Sequence, residues 1–408
     1  MNYLKSMTRI QAIVIIMLSL AQGVYSQSRV YDVILRSSAL RGSGRASEAI
    51  LLIDEALIDG VDYRLLLERG EAFLMMNNLE EAYSSFSHAS AVRAHSGSFG
   101  LARVYAAKGD VRNSLDQLEH NLNSTFREGE RKYFADPWLH MIDNSVEWRS
   151  FWEKERYTEG ERILEEVRYL TAIGRSAEAA IITGEASNEQ IQGAEIGFAD
   201  ALVRFEMGDY SGAVAILTGK SSVNMPAENR DRLLARCLNA TGEYRKALSL
   251  LLNLISSEMP DATLFLERAE AYRGLSDFNR ALRDIDYYLS IYPDDPVAIG
   301  SAGTVSMESG NNSMALVYLN RLVEVDPNNR EAYISRGDMW GASGMWKNAA
   351  SDYSMALDLD PFDGNLYCSK GIALLNQGMT EQTCHDFRAA LKLGNKKASE
   401  YYNRHCIK

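Results

Sequence analysis

Residues Arg330–Asp363 read REAYISRGDMWGASGMWKNAASDYSMALDLDPFD, and the small residues and the proline of this stretch decide the architecture. Gly337 falls inside a helix-favouring run, where glycine costs about 1 kcal/mol relative to alanine. Its presence there implies close approach of a neighbouring helix backbone. Gly344 follows about two helical turns later and suits the left-handed cap that ends a helix. Ala349, Tyr353 and Ala356 then recur at helical spacing, and Pro361 stops the second run. Proline lacks the donor and disfavours helix at the residue before it. The stretch predicts a helix–turn–helix hairpin.

The same pattern repeats outward from this unit every 34 residues. An alanine column runs Ala179, Ala213, Ala247, Ala281, Ala315, Ala349 and Thr383. A turn column five residues earlier runs Gly174, Gly208, Gly242, Ser276, Gly310, Gly344 and Gly378. A third column of small residues runs Val167, Ala201, Ala235, Ala269, Gly303, Gly337 and Gly371. A lone hairpin cannot bury its apolar face, so neighbours must stack into an array. Residues 160–397 hold seven such units in register. Before residue 129 the spacing loosens: Ala49, Ala82 and Ser114 mark about three further units over residues 27–128.

These columns resemble the tetratricopeptide repeat. Arg330–Asp363 matches its pattern with Tyr333, Gly337, Trp340, Ala349, Tyr353, Ala356 and Pro361. The unit Ala262–Asp295 carries Phe265, Ala269, Tyr272, Ala281, Ile285 and Pro293, and the early unit Tyr63–Ala94 carries Leu66, Gly70, Phe73, Ala82, Phe86 and Ala89. The units between Gly160 and Ala227 depart from the pattern at Val167 and Arg204. The resemblance implies an all-α solenoid, a right-handed superhelix of hairpins whose first helices line a concave groove. A polar, amphipathic helix over residues 398–408 reads as its cap, because a terminal repeat needs a solvated outer face.

Between the two runs of repeats, residues 129–159 hold Phe134, Trp138, Trp148, Phe151 and Trp152. Such aromatic density argues against a disordered linker. The stretch reads either as a divergent repeat or helical joint whose aromatics fill a junction, or as an exposed contact surface. Replacing Trp148 and Trp152 would separate the two.

The first 26 residues read as a secretory signal: Lys5 and Arg9 precede the apolar run Ala12–Ala21, and Val24-Tyr25-Ser26 supplies the cleavage site. The apolar run is shorter than the roughly 20 residues a bilayer requires. No cysteine follows it to take a lipid. The expectation is an exported protein, periplasmic or at the cell surface, that meets a membrane only through a partner. Export permits disulfides. Of the four cysteines, Cys384 lies on the last unit's second helix and Cys406 near the end of the capping helix, so a Cys384–Cys406 staple is expected, with two buried thiols as the alternative. Cys237 and Cys368 fall on first helices of different units and read as singly packed.

The 408 residues carry 55 acidic and 43 basic side chains, a formal charge of −12, with no run of five Lys/Arg. Such a chain repels phosphate backbones, so nucleic acid is not an expected partner. Metalloprotease, nucleophile-elbow, phosphate-loop and dinucleotide motifs are all missing from the sequence, and neither catalysis nor a cofactor is expected. A protein or peptide partner is. Carried over by register from the resemblance, the groove positions include Glu195, Phe198, Leu202 and Phe205, then Asn229, Arg232, Arg236 and Asn239, then Glu270 and Arg273, with Asp338 and Asn365 further on. Arg232 and Arg236 share a helix face and suit bidentate grip on carboxylates. Their pairing with acidic neighbours inside the chain is the competing expectation. The set resembles the carboxylate clamp of chaperone-binding tetratricopeptide proteins without reproducing its Lys and Asn arrangement. The implied function is a scaffold of the bacterial envelope, in a secretion or assembly complex, or else a periplasmic chaperone or adaptor for extended peptides.

Overall fold

The structure, a computed structural model, describes residues 29–188, 191, 193–256 and 261–407. The expected leader, residues 1–26, lies outside them. All regular structure among the described residues is helical, and no described helix is long and apolar enough to cross a membrane.

The chain divides into two compact units. The first runs to Ala262 and opens with three hairpins: α1 (29–42) with α2 (Ala46–Asp59), α3 (Tyr63–Met75) with α4 (Leu79–Val92), and α5 (Ser98–Ala107) with α6 (Val111–Leu122). Two short helices follow, α7 (Glu130–Ala135) and α8 (Val146–Trp152). The hairpins α9 (Glu159–Ala172)/α10 (Ser176–Asn188), α11 (Ala194–Glu206)/α12 (Tyr210–Thr218) and α13 (Ala227–Ala240)/α14 (Tyr244–Ile255) complete the unit. The second unit, from Thr263, stacks α15 (Thr263–Gly274)/α16 (Phe278–Ile291), α17 (Pro296–Glu308)/α18 (Asn312–Val325), α19 (Arg330–Ala342)/α20 (Trp346–Leu359) and α21 (Gly364–Asn376)/α22 (Thr380–Lys392), with α23 (Lys397–His405) on the last.

The turn column ends each first helix in the left-handed region: Gly344 has φ 73° and Gly310 has φ 75°. Past Gly344 the Met345 N–H reaches back to the Trp340 carbonyl at 2.8 Å, closing a Schellman-type cap. Ser276 takes the same conformation, φ 58°, with Asp277 N–H on the Tyr272 carbonyl at 2.9 Å. The turn imposes the geometry even where the residue is not glycine.

The buried glycines need a corrected explanation. What comes close to them is an aromatic ring of the same hairpin's second helix, not a neighbouring backbone. A Cβ on Gly337 would stand 2.7 Å from the Tyr353 ring, on Gly371 2.6 Å from Phe387, and on Gly70 2.5 Å from Phe86. Where the second helix supplies an aliphatic residue the demand disappears: at Gly303 the nearest atom, on Leu319, is 3.6 Å away. The units with Leu251 and Ile285 accordingly carry Ala235 and Ala269.

A second link between paired helices is electrostatic. Arg268 grips Asp284 through two bonds of 2.7 Å, Arg336 grips Asp352 at 2.8 and 2.7 Å, and Lys370 lies 3.3 Å from Asp386. All three aspartates are buried, so the cation is what makes their charge tolerable there.

The aromatics of residues 129–159 turn mainly inward. Trp148 is 4% exposed and joins Tyr133, Leu139 and Tyr157 in a core with Phe99 and Leu118 of the third hairpin. Trp152 contacts both Tyr133 and Phe134, with ring centroids 5.6 and 4.8 Å apart. Phe134 itself stays half-exposed.

At the far end α23 begins at Lys397 and ends at His405, and Ala398 is its one fully buried residue. Cys384 and Cys406 are joined in a disulfide with Cα atoms 5.6 Å apart. Cys237 and Cys368 are buried free thiols. Burial pushes the Cys237 thiol up to about 11 and raises Cys368 as well, which keeps both in the unreactive protonated form.

Candidate partner-binding cleft

In the first unit α11 packs against α9 on one side and α13 on the other. Together with the segment 127–129 and Tyr157 these helices enclose a half-open cleft of ≈ 290 Å³. Its apolar surface comes from Leu164 and Phe198, and its polar groups include Arg168, Glu195 and Asn229.

One wall is rigidly held. Arg127 lies 4.1 Å over the Tyr157 ring, donates to the Arg156 carbonyl at 2.5 Å and pairs with Glu161 at 3.3 Å. The Tyr157 hydroxyl donates to the Glu128 carbonyl at 2.7 Å. The Glu165 carboxylate accepts the Arg131 N–H at 3.0 Å and presses on Gly129, where a Cβ would sit 1.5 Å from its Oε1. Gly129 has an ordinary φ of −69°, so a side chain there would have to displace only the Glu165 carboxylate.

Arg168 differs from the other cations considered for the groove. Its guanidinium carbon lies 5.5 Å from the Phe198 ring, and the guanidinium makes no ion pair or hydrogen bond among the described residues. Desolvation within the cleft lowers its basicity from the usual arginine value, partly offset by the nearby Glu165 charge. The cleft therefore presents a guanidinium without a bonded carboxylate over an aromatic floor, with the Glu165 charge nearby.

The expected groove residues separate into three groups. Glu195, Phe198 and Asn229 meet in this cleft, although Phe198 is only 7% exposed and serves as floor rather than as a projecting contact. Arg232 and Arg236, expected to grip a ligand carboxylate, are engaged within the chain instead. Arg232 bonds Asp261 at 2.5 Å, while Arg236 stacks 4.3 Å over Phe205 and lies 4.0 Å from Glu206. Asn239 is buried, which removes it from any groove surface. Glu270 and Arg273 belong to the second unit. There they line a separate cleft of ≈ 400 Å³ with Leu266 and Val297. Arg273 is held by Glu270 at 2.6 Å and Glu308 at 2.7 Å, and the Glu270 bond above all raises its pKa well beyond the usual range. Asp338 accepts the Tyr353 hydroxyl at 2.7 Å, and Asn365 accepts from Asn395 at 2.7 Å.

Leu164 and Arg168 occupy, one repeat earlier, the places of Phe198 and Leu202. The register thus contained the signal for them. The contribution of Arg127 and Tyr157 had none, because the joint carries no repeat.

The 34-residue register, the left-handed turn column and the matching of a small residue to the facing side chain across the hairpins together decide the architecture. The chain has the tetratricopeptide-repeat fold. No family model matches the sequence. Among solved structures, MamA is similar at 18% identity over 42% of this chain and 98% of its own, with a TM-score of 0.37. YrrB, described as a TPR protein with an unusual peptide-binding site, is similar at 19% identity over 43% of this chain and 91% of its own, with a TM-score of 0.38. The Cut9–Hcn1 hetero-tetramer of APC/C is similar over 92% of this chain and 89% of the matched chain at 11% identity and a TM-score of 0.47.

Proposed function

We propose that this protein is an exported, non-enzymatic interaction scaffold that holds a protein or peptide partner in the cleft between α9, α11 and α13. The observation that carries the reading is Arg168. A guanidinium that bonds no carboxylate directly, beside an apolar floor of Leu164 and Phe198, provides a charged anchor next to an apolar seat. Binding energy concentrates at such combinations, arginine and aromatic residues being enriched among interface anchors. Export follows from the signal-like residues 1–26, and the Cys384–Cys406 bond accords with an oxidising compartment. A place in a bacterial envelope assembly is the role that best accommodates these features.

The test is a peptide array varying acidic and apolar positions, read by fluorescence anisotropy with wild type and with Arg168→Ala. Loss of one charge-assisted contact should weaken binding about tenfold or more, while Arg232→Ala, whose guanidinium serves Asp261, should change it far less. An unchanged affinity for Arg168→Ala would place the binding surface elsewhere. A second reading, a chaperone or adaptor for extended peptides, is favoured by the half-open form of the cleft. It predicts binding to many unrelated array peptides, where a scaffold selects one folded partner.

A further inference from the structure

Helix α23 is held to the array by one covalent bond and one small apolar contact. It spans nine residues and fully buries only Ala398. Tyr401 and Tyr402 pack at the edge of an apolar cluster with Cys368, Phe387 and Ala390; Tyr401 stacks on Phe387 with centroids 5.4 Å apart, and Tyr402 lies within 3.3 Å of Arg388. An isolated helix of this length does not sustain itself in water. The disulfide from Cys406 to Cys384 on α22 closes the intervening segment, with a sequence separation of 22. Gly394 at φ 84° lies in the four-residue connection to α23, and Asn395 beside it caps the helix through the Ala398 N–H at 2.9 Å.

The surface under α23 is apolar and built to accept a helix. Phe387 and Ala390 are fully buried beneath it, together with Cys368. Ala398, Tyr401 and Tyr402 stand one repeat length after Gly364, Tyr367 and Cys368. Thus α23 fills the place that the first helix of a following hairpin would take, and the face it covers is a repeat-stacking face. Exposed, such a face associates.

We propose that α23 is a redox-released strap which, once its bond is opened, exchanges between two copies of this chain and docks on the α22 face of the other. A second copy is the occupant that the structure supports, because its α23 carries the contacts already seen here and needs no new complementarity. A dithiol reductant supplies two electrons and two protons to the sulfur pair, leaving thiols on Cys384 and Cys406 and itself becoming a cyclic disulfide. Oxidised glutathione then accepts two electrons and two protons from Cys406 of one copy and Cys384 of the other, forming the cross-copy bond and releasing two glutathione thiols.

Two measurements test this on the full chain. Hydrogen exchange across residues 397–405 should quicken on the order of 100-fold when the wild type is treated with dithiothreitol, as expected for losing a cross-link of about twenty residues. Unchanged protection would overturn the strap. Cys384→Ser and Cys406→Ser variants are then mixed at high concentration and reoxidised with oxidised glutathione. A disulfide-linked heterodimer whose proteolytic map joins Cys384 of one copy to Cys406 of the other is the expected product, and wild type reoxidised at high concentration should give the corresponding dimer. Monomer alone, or a dimer lacking that linkage in both preparations, overturns the exchange.

Discussion

Substituting alanine for Gly371 and for Gly303 makes the same chemical change at equivalent places two repeats apart, yet the structure assigns the two substitutions opposite signs. Both residues lie within helices and neither has a left-handed φ. Alanine therefore gains about 1 kcal/mol of helix propensity at either place. At Gly303 nothing opposes that gain, since the new Cβ meets Leu319 at 3.6 Å and the Tyr318 Cβ at 3.7 Å, ordinary contact distances. At Gly371 the Cβ meets Phe387 ring atoms at 2.6 and 2.8 Å. Ring carbons are at ease near 3.5–4 Å, so the ring must move by about 1 Å. Phe387 is fully buried and stacked on Tyr401, which leaves it little room. Overpacking of this kind costs about 1–3 kcal/mol. The expectation is a gain of about 1 kcal/mol for Gly303→Ala and a net loss of about 1 kcal/mol for Gly371→Ala. Adding Phe387→Leu recreates the alanine–aliphatic pairing seen at Ala235 and Leu251, so the alanine should no longer be costly in that background. The coupling energy is about 1–2 kcal/mol. Repeat arrays open locally, so urea unfolding followed by circular dichroism should be paired with amide exchange resolved at α17 and α21. Equal signs for the two alanines, or a Gly371→Ala cost indifferent to Phe387→Leu, would refute the reasoning.

Other consequences follow from the same geometry. Ser276→Gly relieves a left-handed serine worth about 1–2 kcal/mol and gives back part as chain entropy, so α15 and α16 should gain about 0.5–1 kcal/mol in urea unfolding. Asp352→Ala leaves the Arg336 guanidinium without its buried partner and should cost about 3–5 kcal/mol by the same assay. Asp363 caps α21 through the Asn365 and Leu366 N–H groups at 2.9 and 3.0 Å and pairs with Arg330. Desolvation opposes its ionisation, but these bonds outweigh it and hold the carboxyl below the usual aspartate range. Its contribution is therefore present above the unfolded aspartate value of about 3.9 and is lost as pH falls through the lower folded value. Asp363→Ala should cost about 1 kcal/mol near neutrality, and an acid titration of α21 exchange should show the difference from wild type shrinking toward low pH.

How far the sequence could be read depended on how local each feature was. Gly344, Ser276 and Pro361 act on their own backbone, and the helix-favouring runs between them act within a few residues. Hairpins, turns and the 34-residue register were therefore legible directly. The purpose of Gly337 was misread as backbone approach because the ring that demands it, Tyr353, sits across the hairpin. The register placed Arg232 and Arg236 on the groove face but left open whether they meet a ligand or acidic neighbours of the chain. Their availability depends on Asp261 and Glu206, roughly one repeat away along the chain but adjacent in space.

The sequence by itself determined that this protein is a stack of helical hairpins, because periodic small residues and caps act at short range and every repeat restates them. Only the tertiary structure decided which charges remain for a partner. Arg168 bonds no carboxylate directly, while Arg273 is held by Glu270 on its own helix and by Glu308 on α17, a partner that no periodicity of α15 encodes. An ion pair forms or fails over an ångström or two, a scale on which register alone is silent.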